Sequence, residues 1–457
     1  MALPVAGVDS IAPDALLGTR AQRVVHAAPP LSRWIPAAIF ALALLLRLTF
    51  IATNPRPLRS DEIDYDNLGW TLATTGSYAT DGHPTAYRPV GYPAAIAAVY
   101  AVVGHHPAAV TIVQAVLDSA TAVLLFLLFA GVDRRAGILA GATWAVLPAA
   151  ILFASQLFSE CLTVFALVLF LHLANAIEIS PQRARAVGLH LGFMTLLRPL
   201  VSGFFALAAP LALLSKNPAR RVAMLAFVLV PIGLWAARNA LVIGAPVITT
   251  SVGTNLFIGN RPGATGSYAP VDPTDAPPGG DTELTRDAAA GRAAFQSIQT
   301  APLEAAVRLI KKVAFLLTSE GELVAGHFAG EVPEGTRYRE RLRSVPPWLH
   351  ILVSGPTAIV MILGILGLGS RRPDRIGRLF YALLFATVLS CAIFFGGSRF
   401  RFPLLVLLVG FAAEFVVNWR TRVALFTRGR LAMAAAVIGS CIAVWLGEAA
   451  LIAGFGP

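Results

Sequence analysis

The sequence predicts an all-α protein that crosses a membrane many times, and three observations support this fold class. Hydrophobic residues make up 56% of the 457 residues and charged residues only 13%, whereas soluble proteins are usually about 45–50% apolar and about 25% charged. The apolar residues form long runs, many of them close to the ~20 residues that a helix needs to cross a bilayer. The basic residues lie in short clusters between these runs, which is typical of cytoplasmic loops.

Those loop clusters account for the net charge of +11, and no basic domain that would bind nucleic acid is visible. The expected partner is the lipid bilayer, with no nucleic acid. Cys161, Cys391 and Cys441 all lie within apolar runs, which predicts buried thiols and no disulfide framework. The eight histidines show no metal-ligand spacing, and no glycine-rich phosphate loop precedes a helix.

Eleven segments are candidate membrane-spanning helices. They are residues 34–53, 108–130, 136–153, 157–177, 186–197, 200–214, 222–243, 348–368, 379–395, 402–418 and 431–453. Two of these are short and are separated by Arg198-Pro199, a break that could be a kink or an external corner. The polar tail before the first span lacks a signal-peptide pattern, so we expect it to be cytoplasmic, with the first span as an uncleaved anchor.

Residues 90–104 are ambiguous, because about 15 apolar residues suit an interfacial helix better than a span. Loop charge decides between the two. If this segment lies flat, all five basic clusters fall in the cytoplasm; if it crosses, they move outside. We therefore predict about 11 spans in the cell membrane, with the N-terminus in the cytoplasm and the C-terminus outside. The clusters are at residues 133–135, 183–185, 216–221, 371–378 and 420–430.

This topology divides the chain into four regions: a cytoplasmic tail (1–33), a transmembrane module (34–243) whose first external loop is 54–107, a long external loop (244–347), and C-terminal transmembrane helices (348–457). The long loop has a Pro/Gly-rich part, 261–281. It then has an amphipathic part that predicts a second interfacial helix. Its apolar residues recur at helical spacing and its basic residues lie elsewhere on the circumference: Leu303, Val307, Ile310, Ala314 and Leu317, against Arg308, Lys311 and Lys312.

The carboxylates that could perform chemistry lie at predicted external ends of spans. Asp61 and Glu62 follow the first span, in RSDEIDYDNLGW, and Asp61 shares a helix face with Tyr65. Such a run is often only a solvated loop, but a carboxylate at this position can deprotonate a hydroxyl or hold a divalent cation. Glu160 opens another span beside Ser159, as a helix N-terminal charge or as a second acid.

Arginines lie on the same predicted face, against the positive-inside tendency, so each needs an anionic partner. Arg88 ends the first external loop in TAYRPVGYP, where prolines restrict the backbone. Its planar fork suits phosphate oxygens, although a lone interfacial arginine can also simply snorkel to the surface. The other residues of this kind are Arg198, Arg238, Arg399 and Arg401, with the amide of Asn239 beside Arg238.

An ordered set of motifs covers residues 34–418: the acidic loop motif, YRPVGYP, Leu157 to Glu160, LLRP, WAARN, SVGTNLFIGNRPGATGSY and SRFRFP. This set resembles the GT-C membrane glycosyltransferases. The nearest branch is the polyprenyl- or dolichyl-phosphate-sugar group (glycosyltransferase family 39-like), which includes protein mannosyltransferases and the lipid A aminoarabinose transferase. The resemblance implies a GT-C fold with interfacial helices in the external loops. Some relatives have a lysine and two prolines where this chain reads Arg88-Pro89-Val90.

The resemblance also implies an activity: transfer of a sugar from a polyprenyl-phosphate-linked donor to a hydroxyl of a glycolipid, polysaccharide or protein acceptor on the extracytoplasmic face. Asp61 would be the base, with Glu62 and Glu160 as further catalytic acids. The same three carboxylates would hold a divalent cation, Mg²⁺ or Mn²⁺, if one is used. The residues implied in substrate binding are Tyr65, Tyr87, Arg88, Arg198, Arg238, Asn239, Arg399 and Arg401.

Two other functions remain open at this point. A lipid-linked-sugar transporter or flippase would require polar residues through the depth of the membrane, whereas here they concentrate at one face. An O-antigen ligase or polymerase would use a lipid-diphosphate donor and would depend on external arginines and a histidine more than on an early acidic pair.

Overall fold

The computed structural model describes residues 34–175, 180–213, 217–269, 271, 277, 279–329, 338–371 and 374–454. The predicted cytoplasmic tail therefore lies outside the described residues, as does part of the Pro/Gly-rich segment. Within the described part of the chain, nearly all regular structure is helical. The exceptions are one two-stranded hairpin and a short 3-10 turn.

The elements follow one another as α1 (Trp34–Thr53), α2 (Asp61–Thr75), β1 (Ala79–Thr80), β2 (His83–Pro84), α3 (Gly91–Val103), α4 (Pro107–Ala130), α5 (Arg134–Val146), α6 (Pro148–Ala154), α7 (Ser159–Asn175), α8 (Pro181–Leu197), α9 (Pro199–Leu213), α10 (Pro218–Val242), α11 (Val252–Asn260), α12 (Glu283–Thr300), α13 (Pro302–Leu316), α14 (Gly321–Phe328), α15 (Tyr338–Arg343), α16 (Pro347–Gly369), α17 (Arg375–Ile393), the 3-10 turn (Ser398–Arg401), α18 (Phe402–Val417), α19 (Trp419–Val423) and α20 (Arg428–Ile452). The antiparallel hairpin pairs Ala79 with Pro84 and Thr80 with His83.

The prediction of an all-α polytopic membrane protein is confirmed. Among the described residues, seven helices are long and apolar enough to cross a membrane: α1, α4, α10, α16, α17, α20 and the segment formed by the 3-10 turn and α18. A bent pair, α5 and α6, makes an eighth if it counts as one span. The other three predicted spans are α7, α8 and α9, each of 15 to 17 residues, so the figure of about 11 includes three helices near the lower limit of length.

The ambiguous segment 90–104 forms α3, a helix of 13 residues. At 1.5 Å per residue it is about 20 Å long, shorter than the ~30 Å hydrocarbon core, so its length agrees with an interfacial helix. It packs against α2 at Gly69, where an added Cβ would lie 2.4 Å from Ile96 Cγ2. This glycine therefore lets the two helices of the first external loop approach closely.

The amphipathic segment forms α13, and its apolar stripe is exposed at Leu303, Val307 and Ile310. Two of its basic residues, Arg308 and Lys312, face the protein, whereas Lys311 is exposed. Lys312 is 1% exposed, and its ammonium donates to Asn260 Oδ1 at 2.7 Å and to the carbonyls of residues 392 and 393 at the end of α17. Burial, with the charge of Arg308, lowers the pKa of Lys312 to about 8. This inward anchor leaves the apolar stripe free for a bilayer surface, as predicted for an interfacial helix.

A buried ion pair fixes α1 inside the bundle. Arg47 and Asp118 are 0% and 1% exposed, and Arg47 Nε donates to Asp118 Oδ2 at 2.6 Å. Arg47 also donates to the carbonyls of Ala145 and Trp144, and Trp144 Nε1 donates to Asp118. Buried charges are tolerated when paired and hydrogen-bonded in this way. Because α1 leads directly into the acidic loop, this pair also sets the position of that loop.

Candidate active site at the end of the first span

The acidic loop turns sharply into α2. Ser60 has a φ of 50°, which residues other than glycine rarely adopt, and Asp61 is the first residue of the helix. Carboxylates in the first turn of a helix are stabilised by its dipole. Helical spacing places Asp61, Asp64 and Tyr65 on one face. Glu62 and Asp66 lie on the buried face, at 1% and 6% exposure.

Arg88 joins the two carboxylates of that face. Its Nη2 donates to Asp61 Oδ1 at 2.8 Å and to Asp64 Oδ2 at 2.6 Å, and its Nε donates to the same Asp64 oxygen at 3.1 Å. Gly91 brings this end of the loop to the end of α8, since an added Cβ would lie 2.7 Å from the carbonyl of Leu196. The prolines and glycine of YRPVGYP thus place Arg88 over the start of α2.

Three residues from distant spans complete the cluster. Arg399, in the 3-10 turn, donates from Nη1 to Asp61 Oδ2 at 3.3 Å. Its Nε and Arg198 Nη1 each lie 3.1 Å from Glu160 Oε1. These two contacts have ion-pair distances but not hydrogen-bond alignment. The fully buried Glu160 is therefore held by ionic attraction to the two arginines rather than by directed hydrogen bonds. The six residues form a row in which carboxylates and guanidinium groups alternate in space. We term this row the charge chain: Asp64, Arg88, Asp61, Arg399, Glu160 and Arg198.

The electrostatics of the charge chain keep Asp61 ionised. Burial would raise the pKa of the Asp61 carboxyl, but the charges of Arg399 and Arg88 and their hydrogen bonds outweigh it and hold the pKa below its usual value. Burial and the neighbouring carboxylate raise the pKa of Tyr65. At neutral pH the site therefore contains an anionic carboxylate between two guanidinium groups, beside a neutral phenol.

Aromatic side chains lie against Arg88 and Arg399, the two arginines that contact Asp61. The guanidinium carbon of Arg88 lies 5.6 Å from the ring centre of Tyr65 and 5.4 Å from that of Tyr87, and that of Arg399 lies 5.3 Å from Phe158. Such distances are typical of cation–π contacts. Tyr87 is 38% exposed and Tyr268 is 50% exposed, so both leave part of a ring available to a ligand.

Tyr268 was not predicted as a site residue. The hydrogen bond from Gly396 N to Gly266 O, 2.8 Å, holds its loop beside the segment that carries Arg399. Burial raises the pKa of Tyr268, and the negative charge of Asp61 adds to this rise. Its position at the end of the SVGTNLFIGNRPGATGSY motif was the available signal. Asp64 was also missed, although its spacing of three residues from Asp61 on one helix pointed to it.

Glu62, predicted as a catalytic acid, is an anchor in this structure. Its two oxygens accept from Arg56 Nη1 and Nη2 at 2.7 and 2.6 Å. They also accept from the backbone N–H groups of Arg59 and Leu157 at 3.1 and 2.8 Å. Four donors on a buried carboxylate leave it no free position for a substrate. Glu62 therefore ties the acidic loop to the segment before α7, and its catalytic role stays a prediction.

Three predicted substrate-binding residues outside the charge chain hold loops in place: Arg238, Asn239 and Arg401. Arg238 donates to the carbonyls of Thr85 and Tyr78, both at 2.9 Å, and Asn239 donates to the carbonyl of Val247 at 2.7 Å. Arg401 is 3% exposed. It donates to two backbone carbonyls and to Glu320 Oε1 at 2.7 Å. These side chains hold the loops that connect the helices rather than face the charge chain.

No metal site is formed by the residues that the structure describes: no group of three or more histidine, cysteine, aspartate or glutamate side chains is arranged to hold an ion. The three carboxylates predicted as ligands, Asp61, Glu62 and Glu160, are each paired with arginine.

No protein family matches the sequence, and no curated protein does. Among solved structures, the chain is similar to an oligosaccharyltransferase from Archaeoglobus fulgidus tethered to an acceptor peptide with the NVT sequon. The identity is 14%, the TM-score 0.43, and the match covers 93% of this chain but 56% of that one. It is also similar to apo ArnT from Cupriavidus metallidurans, with 15% identity, a TM-score of 0.38, and coverage of 84% and 78%.

This chain spans only about half the length of the oligosaccharyltransferase, 56%. At these TM-scores and identities the likeness assigns no family, activity or substrate to this chain, and the proposals below rest on its own side chains.

Proposed function

We propose that this protein is a membrane glycosyltransferase that moves a sugar from a polyprenyl-phosphate carrier to an acceptor hydroxyl on the extracytoplasmic face. The observation that carries the proposal is the ionised carboxylate of Asp61 between Arg88 and Arg399, directly after the first span. Such a site pairs a proton acceptor with two phosphate-binding cations at membrane level. The transfer of a sugar from a lipid phosphate requires both.

In the proposed reaction the acceptor oxygen attacks the anomeric carbon of the donor sugar. A new carbon–oxygen bond forms there, and the bond from the anomeric carbon to the phosphate oxygen breaks with its electron pair. The acceptor proton passes to Asp61. Arg88 and Arg399 stabilise the charge that develops on the departing lipid phosphate. The partly exposed rings of Tyr87 and Tyr268 could contact the sugar, since tyrosine combines an apolar face with a hydroxyl.

Donor binding would also make Asp61 a better base. In the structure its pKa is lowered by Arg399 and Arg88 against the effect of burial. A phosphate that takes over part of the hydrogen bonding of these arginines removes some of that effect. The pKa of Asp61 then rises towards the working pH, where a general base is most effective. The base would thus gain strength when a donor is present.

The test supplies the purified full-length protein with radiolabelled polyprenyl-phosphate sugars and, in parallel, polyprenyl-diphosphate sugars. We expect transfer or slow hydrolysis with monophosphate donors, and loss of both in Asp61→Asn. The matched control is Asp81→Asn. It makes the same change at an exposed position in the same loop, where the φ of 51° suits asparagine. Turnover of diphosphate donors alone would instead support the ligase alternative. If the protein turns over neither donor class, the proposal is wrong.

A further inference from the structure

The charge chain is electrically balanced before any substrate arrives. It contains three arginines and three carboxylates, and each inner member contacts two neighbours of opposite sign. A sugar linked through a lipid phosphate brings a further negative charge. Two negative groups cannot share one guanidinium edge without repulsion, so a donor phosphate must displace a carboxylate or leave a charge uncompensated.

Asp64 is the carboxylate most easily displaced. Its side chain is 49% exposed, whereas those of Asp61 and Glu160 are 19% and 0% exposed. It lies at the end of the charge chain, and among the described residues its polar contacts are with Arg88 alone, while Asp61 also contacts Arg399. An exposed carboxylate regains its hydration when it swings away, so its release costs little.

Asp64 also occupies the edge of Arg88 that a phosphate would use. One oxygen, Oδ2, accepts from both Nε, at 3.1 Å, and Nη2, at 2.6 Å. These two adjacent N–H groups form the fork that binds two phosphate oxygens in bidentate contacts. Nη2 also donates to Asp61 Oδ1 at 2.8 Å. When Asp64 leaves, Nε and one hydrogen of Nη2 become free while the contact to Asp61 can persist.

We propose that Asp64 is a displaceable counter-ion: it holds Arg88 in place in the resting protein and yields the Nε–Nη2 edge to the phosphate of the donor. The proposal rests on the proposed function, because it assigns a lipid phosphate to Arg88. Asp64 is a positioning residue that acts through Arg88 and touches neither the sugar nor the acceptor. It lowers the affinity for the donor and keeps Arg88 oriented when no donor is bound.

Removing the charge of Asp64 should therefore tighten phosphate binding. Asp64→Asn keeps the size of the side chain but removes its competition for Arg88. We expect about fivefold tighter binding, which is the effect of losing one exposed ion pair. Asp64→Glu keeps the charge and should bind as the wild type does. Asp81→Asn changes the net charge equally, at an exposed position of the same loop that is not part of the charge chain, and should have no effect.

The experiment measures binding of undecaprenyl phosphate to the full-length protein in detergent micelles, for the wild type and these three variants, with inorganic phosphate as a soluble comparison. KM and kcat for a polyprenyl-phosphate sugar are measured alongside. In Asp64→Asn we expect a lower Kd, with a larger decrease for undecaprenyl phosphate than for inorganic phosphate. We also expect a lower KM for the sugar donor, with kcat retained. A purely structural role for Asp64 would not produce this separation of KM from kcat.

Three results would overturn the inference in different ways. If the wild type binds undecaprenyl phosphate and Asp64→Asn binds it equally or more weakly, the exchange is wrong while the proposed function stands. If the wild type binds no lipid phosphate and turns over no such donor, the proposed function fails and the exchange fails with it. An equal gain in Asp81→Asn would show a general charge effect and would also exclude the exchange.

Discussion

Asp61→Asn separates chemistry from stability at the candidate active site. The substitution keeps the size of the side chain and removes its charge and its capacity to accept a proton. Neither arginine is left without a carboxylate, because Arg88 keeps Asp64 and Arg399 keeps Glu160. Since the Asp61 side chain is 19% exposed, we expect a loss of stability of only about 1 kcal/mol.

The loss of activity should be much larger. A general base contributes about 10²–10⁴-fold to a rate, which corresponds to about 3–5 kcal/mol of activation free energy. The assay measures single-turnover transfer from a radiolabelled polyprenyl-phosphate sugar, with the thermal unfolding of the same preparation as a check on folding. A folded Asp61→Asn variant with wild-type turnover would refute the assignment of Asp61 as the base.

The pH profile tests the same residue without mutation. Because the pKa of Asp61 is below its usual value in the unliganded protein, the acid limb of kcat/KM should lie below the pH at which a free aspartate titrates. The acid limb of kcat, which reports the complex, should lie at higher pH because the donor phosphate shares the arginines. Coincident limbs would show that donor binding leaves the environment of Asp61 unchanged.

Three further predictions concern the phosphate, the anchor and the topology. Arg88→Ala should weaken binding of undecaprenyl phosphate and slow transfer. Arg88→Lys should recover only part of both, because lysine lacks the two-pronged geometry of the guanidinium. If Arg88→Ala behaves as the wild type and Arg399→Ala is defective, the phosphate site lies instead at the C-terminal spans. Glu62→Gln should destabilise the protein by about 3 kcal/mol, seen as a lower unfolding midpoint, because it breaks a buried ion pair. An unchanged midpoint with lost turnover would instead support the predicted catalytic role of Glu62. A cysteine at Gly104 should react with an impermeant reagent from outside, and reaction only from the cytoplasm would show that α3 crosses.

Much of the fold follows from the sequence alone. Apolar runs of bilayer length predicted the helices, because a backbone inside a membrane must satisfy its hydrogen bonds within the helix. The interfacial segments α3 and α13 followed from length and periodicity. Charged residues at the ends of spans pointed to Asp61, Arg88, Glu160, Arg198 and Arg399, since a charge at such a position needs a partner.

Only the tertiary structure decided which charges meet. The acidic loop offered carboxylates on both faces of α2, and sequence periodicity does not state which face turns towards Arg88. That rotation is set by close packing: Gly69 fits against Ile96, and this directs Glu62 inward to an anchor and leaves Asp64 outside on Arg88. Contacts between residues hundreds of positions apart, such as Asp61 with Arg399, depend on how whole helices pack. The local pattern determines each helix, but the long-range packing determines the site.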